Sequence, residues 1–79
     1  MKLFLIVYDR QIGRILSLRE YGPDERAKAL QDRSTRELAE KDHKEIEVVV
    51  LGADSLDALK KTHRRYFETV EQIAKPVAG

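Results

Sequence analysis

An unbroken apolar run near the start of the chain, from Leu3 to Tyr8, limits the folds that this sequence can adopt. A strand with one face in water alternates apolar and polar side chains, whereas this run is apolar at every position. It is rich in residues that favour β-structure, and it is followed by Asp9 and Arg10. The run therefore predicts a strand that is covered on both of its faces.

Two further strands are predicted from the pattern of apolar residues. A short turn, in which Gly13 takes a positive φ, leads into a second strand from Arg14 to Tyr21. The charges of this second strand are typical of a sheet edge, where they discourage pairing with foreign chains. The third strand, from Glu45 to Leu51, is apolar on both faces apart from Glu47.

The two predicted helices differ in the apolar surface that they offer. Helix 1, from about Pro23 to Asp42, aligns only Ala27, Leu30 and Leu38 in a thin apolar stripe. Helix 2 begins at the N-cap Asp54 and has the strongest periodicity in the chain. Its apolar stripe at three-and-four spacing consists of Leu56, Leu59, His63, Tyr66, Phe67, Val70 and Ile73.

These elements predict one small α+β domain with the order ββαβα. The chain of 79 residues has room for one core, which we expect to span residues 1–75, with residues 76–79 as a flexible tail after helix 2 ends at Pro76. A hairpin makes strand 2 antiparallel to strand 1, and strand 3 docks on the free side of strand 1. The predicted sheet is three-stranded and antiparallel, with order 2-1-3, and both helices lie mainly on one of its faces.

This arrangement leaves the second apolar face of the central strand without a cover. If exposed, this face would form a contiguous apolar patch on the order of several hundred square ångströms, which is unusual on a soluble monomer. A second copy of the chain is the preferred cover, through sheet-on-sheet packing or through edge pairing by strand 3. The alternative is that helix 1 crosses to the opposite face and makes a three-layer monomer. We therefore predict self-association, most simply as a homodimer.

Composition narrows the classes of function. With 15 basic and 14 acidic side chains the net charge is +1, which argues against strong non-specific attraction to nucleic acid or to a membrane. The absence of cysteine excludes disulfides, thiolate metal sites and a cysteine nucleophile. His43 and His63 lack a metal-ligand spacing, so we expect no metal and no cofactor.

The first apolar run is too short for a signal peptide or a membrane span, so we expect a cytoplasmic protein.

The segment after the start of helix 2 is the candidate binding surface. Its residues are Lys60, Lys61, His63, Arg64, Arg65, Tyr66 and Phe67. On a continuous helix the four cations would share one flank and meet phosphates, with an aromatic ring stacking on a base. A solvated helix face neutralised by nearby carboxylates is the simpler interpretation. His63 falls within the apolar stripe, and the sequence assigns it no orienting carboxylate, so a packed histidine is favoured over a catalytic base.

The predicted function is that of a small non-enzymatic interaction or regulatory protein that works as a homo-oligomer, with itself or another protein as partner. No catalytic residue is assigned, because the sequence contains no nucleophile motif or acid–base constellation. The first alternative is a nucleic-acid-binding module that uses the basic flank of helix 2. The second is a small enzyme whose site lies near His63 and Tyr66 at an oligomer interface.

Overall fold

The chain folds into a three-stranded sheet with one helical layer on each face, as described for residues 1–67 by a computed structural model. The elements are β1 (Lys2–Asp9), β2 (Arg14–Tyr21), α1 (Arg26–Ala39), β3 (Ile46–Ala53), α2 (Leu56–Thr62) and a 3-10 turn (Arg64–Tyr66). The sheet order β2-β1-β3 is antiparallel at both contacts, which confirms the predicted α+β fold and its ββαβα order. The predicted domain end and tail, residues 68–79, lie outside the described residues.

β1 occupies the centre because its side chains are apolar on both faces. On one face Phe4, Ile6 and Tyr8 form a core cluster with Leu59 of α2. On the other face the second cluster is made by Leu5, Tyr21 and Ala29. Every residue from Phe4 to Tyr8 is buried, as the unbroken apolar run predicts.

The two helices lie on opposite faces of the sheet, so the prediction that both lie mainly on one face is wrong. Leu59 of α2 packs on the even-numbered side chains of β1, and Ala29 of α1 packs with Leu5 on the odd-numbered side. The reason is that a central strand with two apolar faces needs two covers, and α1 supplies the second one. The uncovered face that motivated the homodimer prediction is therefore occupied by α1.

α1 contacts the sheet through a different stripe from the one that the sequence suggests. Ala29 is fully buried, whereas Leu30 is 39% exposed and Leu38 is 69% exposed. Ala27 is exposed as well. A small side chain at the contact lets the helix backbone approach the strands closely. The predicted stripe of Ala27, Leu30 and Leu38 faces away from the core.

α2 is shorter than predicted and is capped by a different residue. The hydroxyl of Ser55, rather than Asp54, accepts a hydrogen bond from the N–H of Ala58 at 3.1 Å. The helix ends at Thr62, and His63 leaves the helical conformation with φ −126° and ψ 55°. The predicted continuous helix is thus wrong between His63 and Phe67, and its later turns lie outside the described residues.

The pairing of β1 with β2 is interrupted, whereas its pairing with β3 is continuous. Ser17 pairs with Val7 and Ile15 pairs with Tyr8, so Leu16 is an extra residue in a β-bulge. β3 pairs with β1 in one unbroken register from end to end. At the hairpin, Gly13 has a φ of 69°, which confirms the predicted positive φ.

Candidate interaction surface

Glu47 on β3 anchors the segment that follows α2. The hydroxyl of Tyr66 donates to Oε2 of Glu47 at 2.5 Å, and Nη2 of Arg65 lies 2.8 Å from Oε1 and 2.9 Å from Oε2. The Tyr66 ring meets the Tyr8 ring edge-on, with 5.0 Å between the centroids. The guanidinium of Arg65 lies 4.5 Å from the centroid of the Tyr66 ring. We call the group of Tyr8, Glu47, Arg65 and Tyr66 the Glu47 clamp.

The electrostatics of the Glu47 clamp suit a structural role. Burial acts to raise the pKa of Glu47, but the hydrogen bonds from Tyr66 and Arg65 outweigh it and hold that pKa below its usual value. Burial and the hydrogen bond to Glu47 raise the pKa of Tyr66. Both groups therefore keep their ordinary protonation states near neutral pH, whereas a general acid or base needs a pKa close to the working pH.

Acid should remove the stability that the Glu47 clamp contributes to the fold. A carboxyl whose pKa is lowered on folding contributes stability that is complete above its unfolded pKa of 4.5 and is lost as the pH falls through the folded value. Glu47→Gln keeps an acceptor but cannot titrate. We expect its unfolding free energy, measured by urea denaturation, to vary less with pH below 4.5 than that of the wild type.

A matched control lies two residues earlier in the chain. The side chain of Glu45 is 38% exposed and lies 3.8 Å from His43, so it is less constrained than Glu47. Glu45→Gln should therefore follow the pH dependence of the wild type more closely than Glu47→Gln does. Identical acid dependence in the wild type and in Glu47→Gln would contradict a stabilising role for the carboxylate.

The cations of the predicted binding segment do not share one helical flank, because α2 ends at Thr62. Arg65 is held by Glu47, and Nζ of Lys60 lies 5.9 Å from the centroid of the Phe67 ring. Lys61 and Arg64 are exposed. The structure thus divides the four cations between α2 and the 3-10 turn and directs Arg65 toward a carboxylate of the same chain.

The rings of the same segment contribute to the core. Tyr66 is buried, and Phe67 packs against the cluster that contains Leu59. His63 is half-buried, and its backbone N–H donates to the carbonyl of Leu59 at 2.9 Å at the end of α2. Stacking on a base would require Tyr66 to leave its hydrogen bond with Glu47.

A groove of about 260 Å³ lies on the opposite side of the sheet, between α1 and strands β1 and β2. Leu5 and Val7 form part of its apolar floor. On its rim, the hydroxyl of Tyr21 donates to Asp32 at 2.6 Å, and Arg19 lies 3.5 Å from the same carboxylate. These rim charges compensate one another within the chain.

The two edge strands of the sheet differ in their protection against pairing with another chain. β2 has three charged side chains in its eight residues and a bulge at Leu16, which are features that discourage edge pairing. β3 contains neither lysine nor proline, and its one charge, on Glu47, is bound to Arg65. Within residues 1–67, no strand lies beyond β3. Among the described residues, β3 is therefore a regular strand whose outer edge pairs with no other strand.

The sequence names strand 3 as a route for edge pairing but does not identify the Glu47 clamp. Glu47 stands out only as the single polar exception on an apolar strand. A carboxylate on a buried strand needs hydrogen-bond donors. Arg65 and Tyr66, adjacent residues later in the chain, are possible donors, so Glu47 is the sequence signal that points to this pairing. The pairing itself joins residues that are far apart in the sequence.

No protein-family model, curated protein or solved structure matches this chain. In the described part of the chain, neither helix is long and apolar enough to cross a membrane. Across the same residues, no three histidine or carboxylate side chains come together as a metal site would require.

Proposed function

We propose that this chain is a small non-enzymatic interaction or regulatory protein that acts as a homodimer through the outer edge of β3. The observation that carries the proposal is the contrast between a charged, bulged β2 and a regular, nearly uncharged β3. An edge strand presents N–H and C=O groups that can pair with another chain, and natural proteins usually block such an edge. The proposed protein acts in the cytoplasm, the location that we expect from its sequence.

The burial of β3 supports a partner at this edge. Residues 46–51 are all half-buried, although most of them are apolar. A chain of 9.1 kDa has a small core, and small domains often complete their core by association. Pairing along β3 would remove more of Val48, Val49 and Val50 from water.

The polar groups of the described residues support an interaction protein over the two alternatives. The Glu47 clamp and the rim of the groove satisfy their charges internally, which leaves neither poised for acid–base chemistry. The nucleic-acid alternative needs the shared cationic flank that the end of α2 at Thr62 interrupts.

Sedimentation equilibrium of the wild type over a micromolar concentration range tests the proposal. We expect a reversible species of twice the 9.1 kDa chain mass. A single 9.1 kDa species at every concentration would overturn the proposal.

A further inference from the structure

The backbone of β3 alternates between groups that face β1 and groups that face the open edge. The N–H of Arg10 donates to the carbonyl of Glu45 at 2.8 Å, which makes Arg10 and Glu45 a hydrogen-bonded pair. Such pairs alternate along an antiparallel ladder. The groups that face β1 therefore belong to Glu45, Glu47, Val49, Leu51 and Ala53. Those that face the open edge belong to Ile46, Val48, Val50 and Gly52.

We infer that a second copy of the chain pairs antiparallel with this edge, about a two-fold axis that passes beside Val49. This inference rests on the proposed function and adds the register to it. In this register Val48 exchanges both backbone hydrogen bonds with Val50 of the second copy, and the N–H of Gly52 reaches the carbonyl of Ile46. The N–H of Ile46 is already bonded to the carbonyl of His43 at 3.0 Å.

Neighbouring registers leave one of the four edge-facing residues without a partner in β3 of the second copy. A two-fold axis at Val50 would set Ile46 against Asp54, beyond the end of β3 in the second copy. An axis at Val48 would set Gly52 against Lys44, which precedes β3. Only the axis at Val49 pairs all four edge-facing residues with one another, namely Ile46 with Gly52 and Val48 with Val50.

The side chains also fit this register. Val49 faces its own copy, and Glu47 faces Leu51, so no like charges lie directly opposite each other across the new ladder. On the α1 face, Val48 lies opposite Val50, and Ile46 lies opposite Gly52, which offers no side chain to crowd it. The second copy thus fits the edge in hydrogen bonding and shape, and no like charges oppose each other.

The same two-fold axis brings the two α1 helices together. α1 packs on both β1 and β3. With strands about 4.8 Å apart, the two α1 axes would run antiparallel at a distance of about 10 Å, which is typical of packed helices. Leu30 lies on the flank of α1 opposite Asp32, which lines the groove on the β2 side. The dimer therefore covers Leu30 and leaves Leu38, on the outer face of α1, in water.

Single cysteines test the register, because the chain has none of its own. Val49→Cys places two thiols in a non-hydrogen-bonded pair with a Cα–Cα distance of about 4.5 Å, within the range of a disulfide. Leu51→Cys is the matched control, since Val49 and Leu51 are half-buried and pack against the same cluster. Its thiols would be about 13 Å apart in this register, too far for a disulfide.

We expect intermolecular disulfide formation in Val49→Cys to be at least about tenfold faster than in Leu51→Cys. Sedimentation of both reduced variants is measured alongside. If both reduced variants are dimers and Leu51→Cys cross-links as fast as Val49→Cys or faster, the register is wrong but the proposed function stands. If the wild type and both reduced variants are monomers, both the register and the proposed function are wrong.

Exposed residues of α1 give a second measurement that does not disturb the core. We expect Leu30→Asp to weaken dimerisation by at least about tenfold, because it puts two carboxylates between the α1 helices. Leu38→Asp is the control on the outer face and should leave the dimerisation constant unchanged. Equal dimerisation of the two variants, measured by sedimentation, would overturn the contact between the α1 helices.

Discussion

Replacement of Leu59 by alanine is expected to lower the free energy of unfolding by about 2–5 kcal/mol. Leu59 is fully buried in the cluster with Phe4 and Ile6, and its truncation leaves a cavity under α2. Domains of this kind are stable by only about 5–15 kcal/mol, so the loss is a large share of the total. Urea or thermal unfolding followed by circular dichroism measures it.

The matched control for Leu59 is Leu38 on the other helix. The sequence pattern predicts a buried stripe through Leu38, but the structure leaves this side chain 69% exposed. Leu38→Ala should therefore change the unfolding free energy by less than about 0.5 kcal/mol. Equal losses from the two substitutions would contradict the packing of α1 through Ala29.

Val49→Lys is expected to weaken self-association by roughly 100-fold, or about 2.7 kcal/mol. In the inferred register the two lysines face each other across the axis, where like charges destabilise the pair and each ammonium must lose water. Natural proteins also use inward-pointing charged side chains to prevent edge strands from pairing with other chains. Sedimentation equilibrium gives the dissociation constant, and circular dichroism reports whether the fold is kept.

Leu16→Lys provides the comparison on the opposite edge of the sheet. Leu16 lies at the bulge of β2 and is 49% exposed, so it is outside the proposed interface. This variant should dimerise like the wild type. If Val49→Lys stays folded and also dimerises like the wild type, β3 is not the interface.

The strand order could be predicted from the sequence because the apolar pattern of β1 restricts where this strand can lie in the sheet. An apolar run from Leu3 to Tyr8 needs neighbours on both edges and covers on both faces, which places it at the centre of the sheet. The hairpin at Gly13 and the apolar third strand then determine the sheet order. These are local signals with strong energetic consequences.

The placement of α1 could not be predicted from its apolar pattern. Periodicity selects Ala27, Leu30 and Leu38, yet the contact with the sheet is made by Ala29. The helix is so rich in charge that its longest apolar side chains do not identify its buried face. The bulge at Leu16 likewise shifts Ile15 onto the same core cluster as Leu18, against the simple alternation.

The Glu47 clamp explains why the continuous helix predicted through the candidate binding segment is wrong beyond Thr62. The spacing of apolar residues favours a helix through Tyr66, but the bonds from Tyr66 and Arg65 to Glu47 span 19 and 18 residues. Such tertiary contacts override helix propensity, and local sequence windows do not contain them. The position of Arg65 therefore depends on β3, which the local pattern of basic residues does not indicate.

We propose that a second copy of the chain occupies the outer edge of β3. Amide hydrogen exchange of the wild type, measured by NMR at a low and a high protein concentration, tests it most directly. The N–H groups of Val49 and Leu51 face β1 and should be protected at both concentrations, which makes them an internal control. We predict that the N–H groups of Val48 and Val50 gain protection as the concentration rises. Fast exchange of these two groups at both concentrations would contradict the claim.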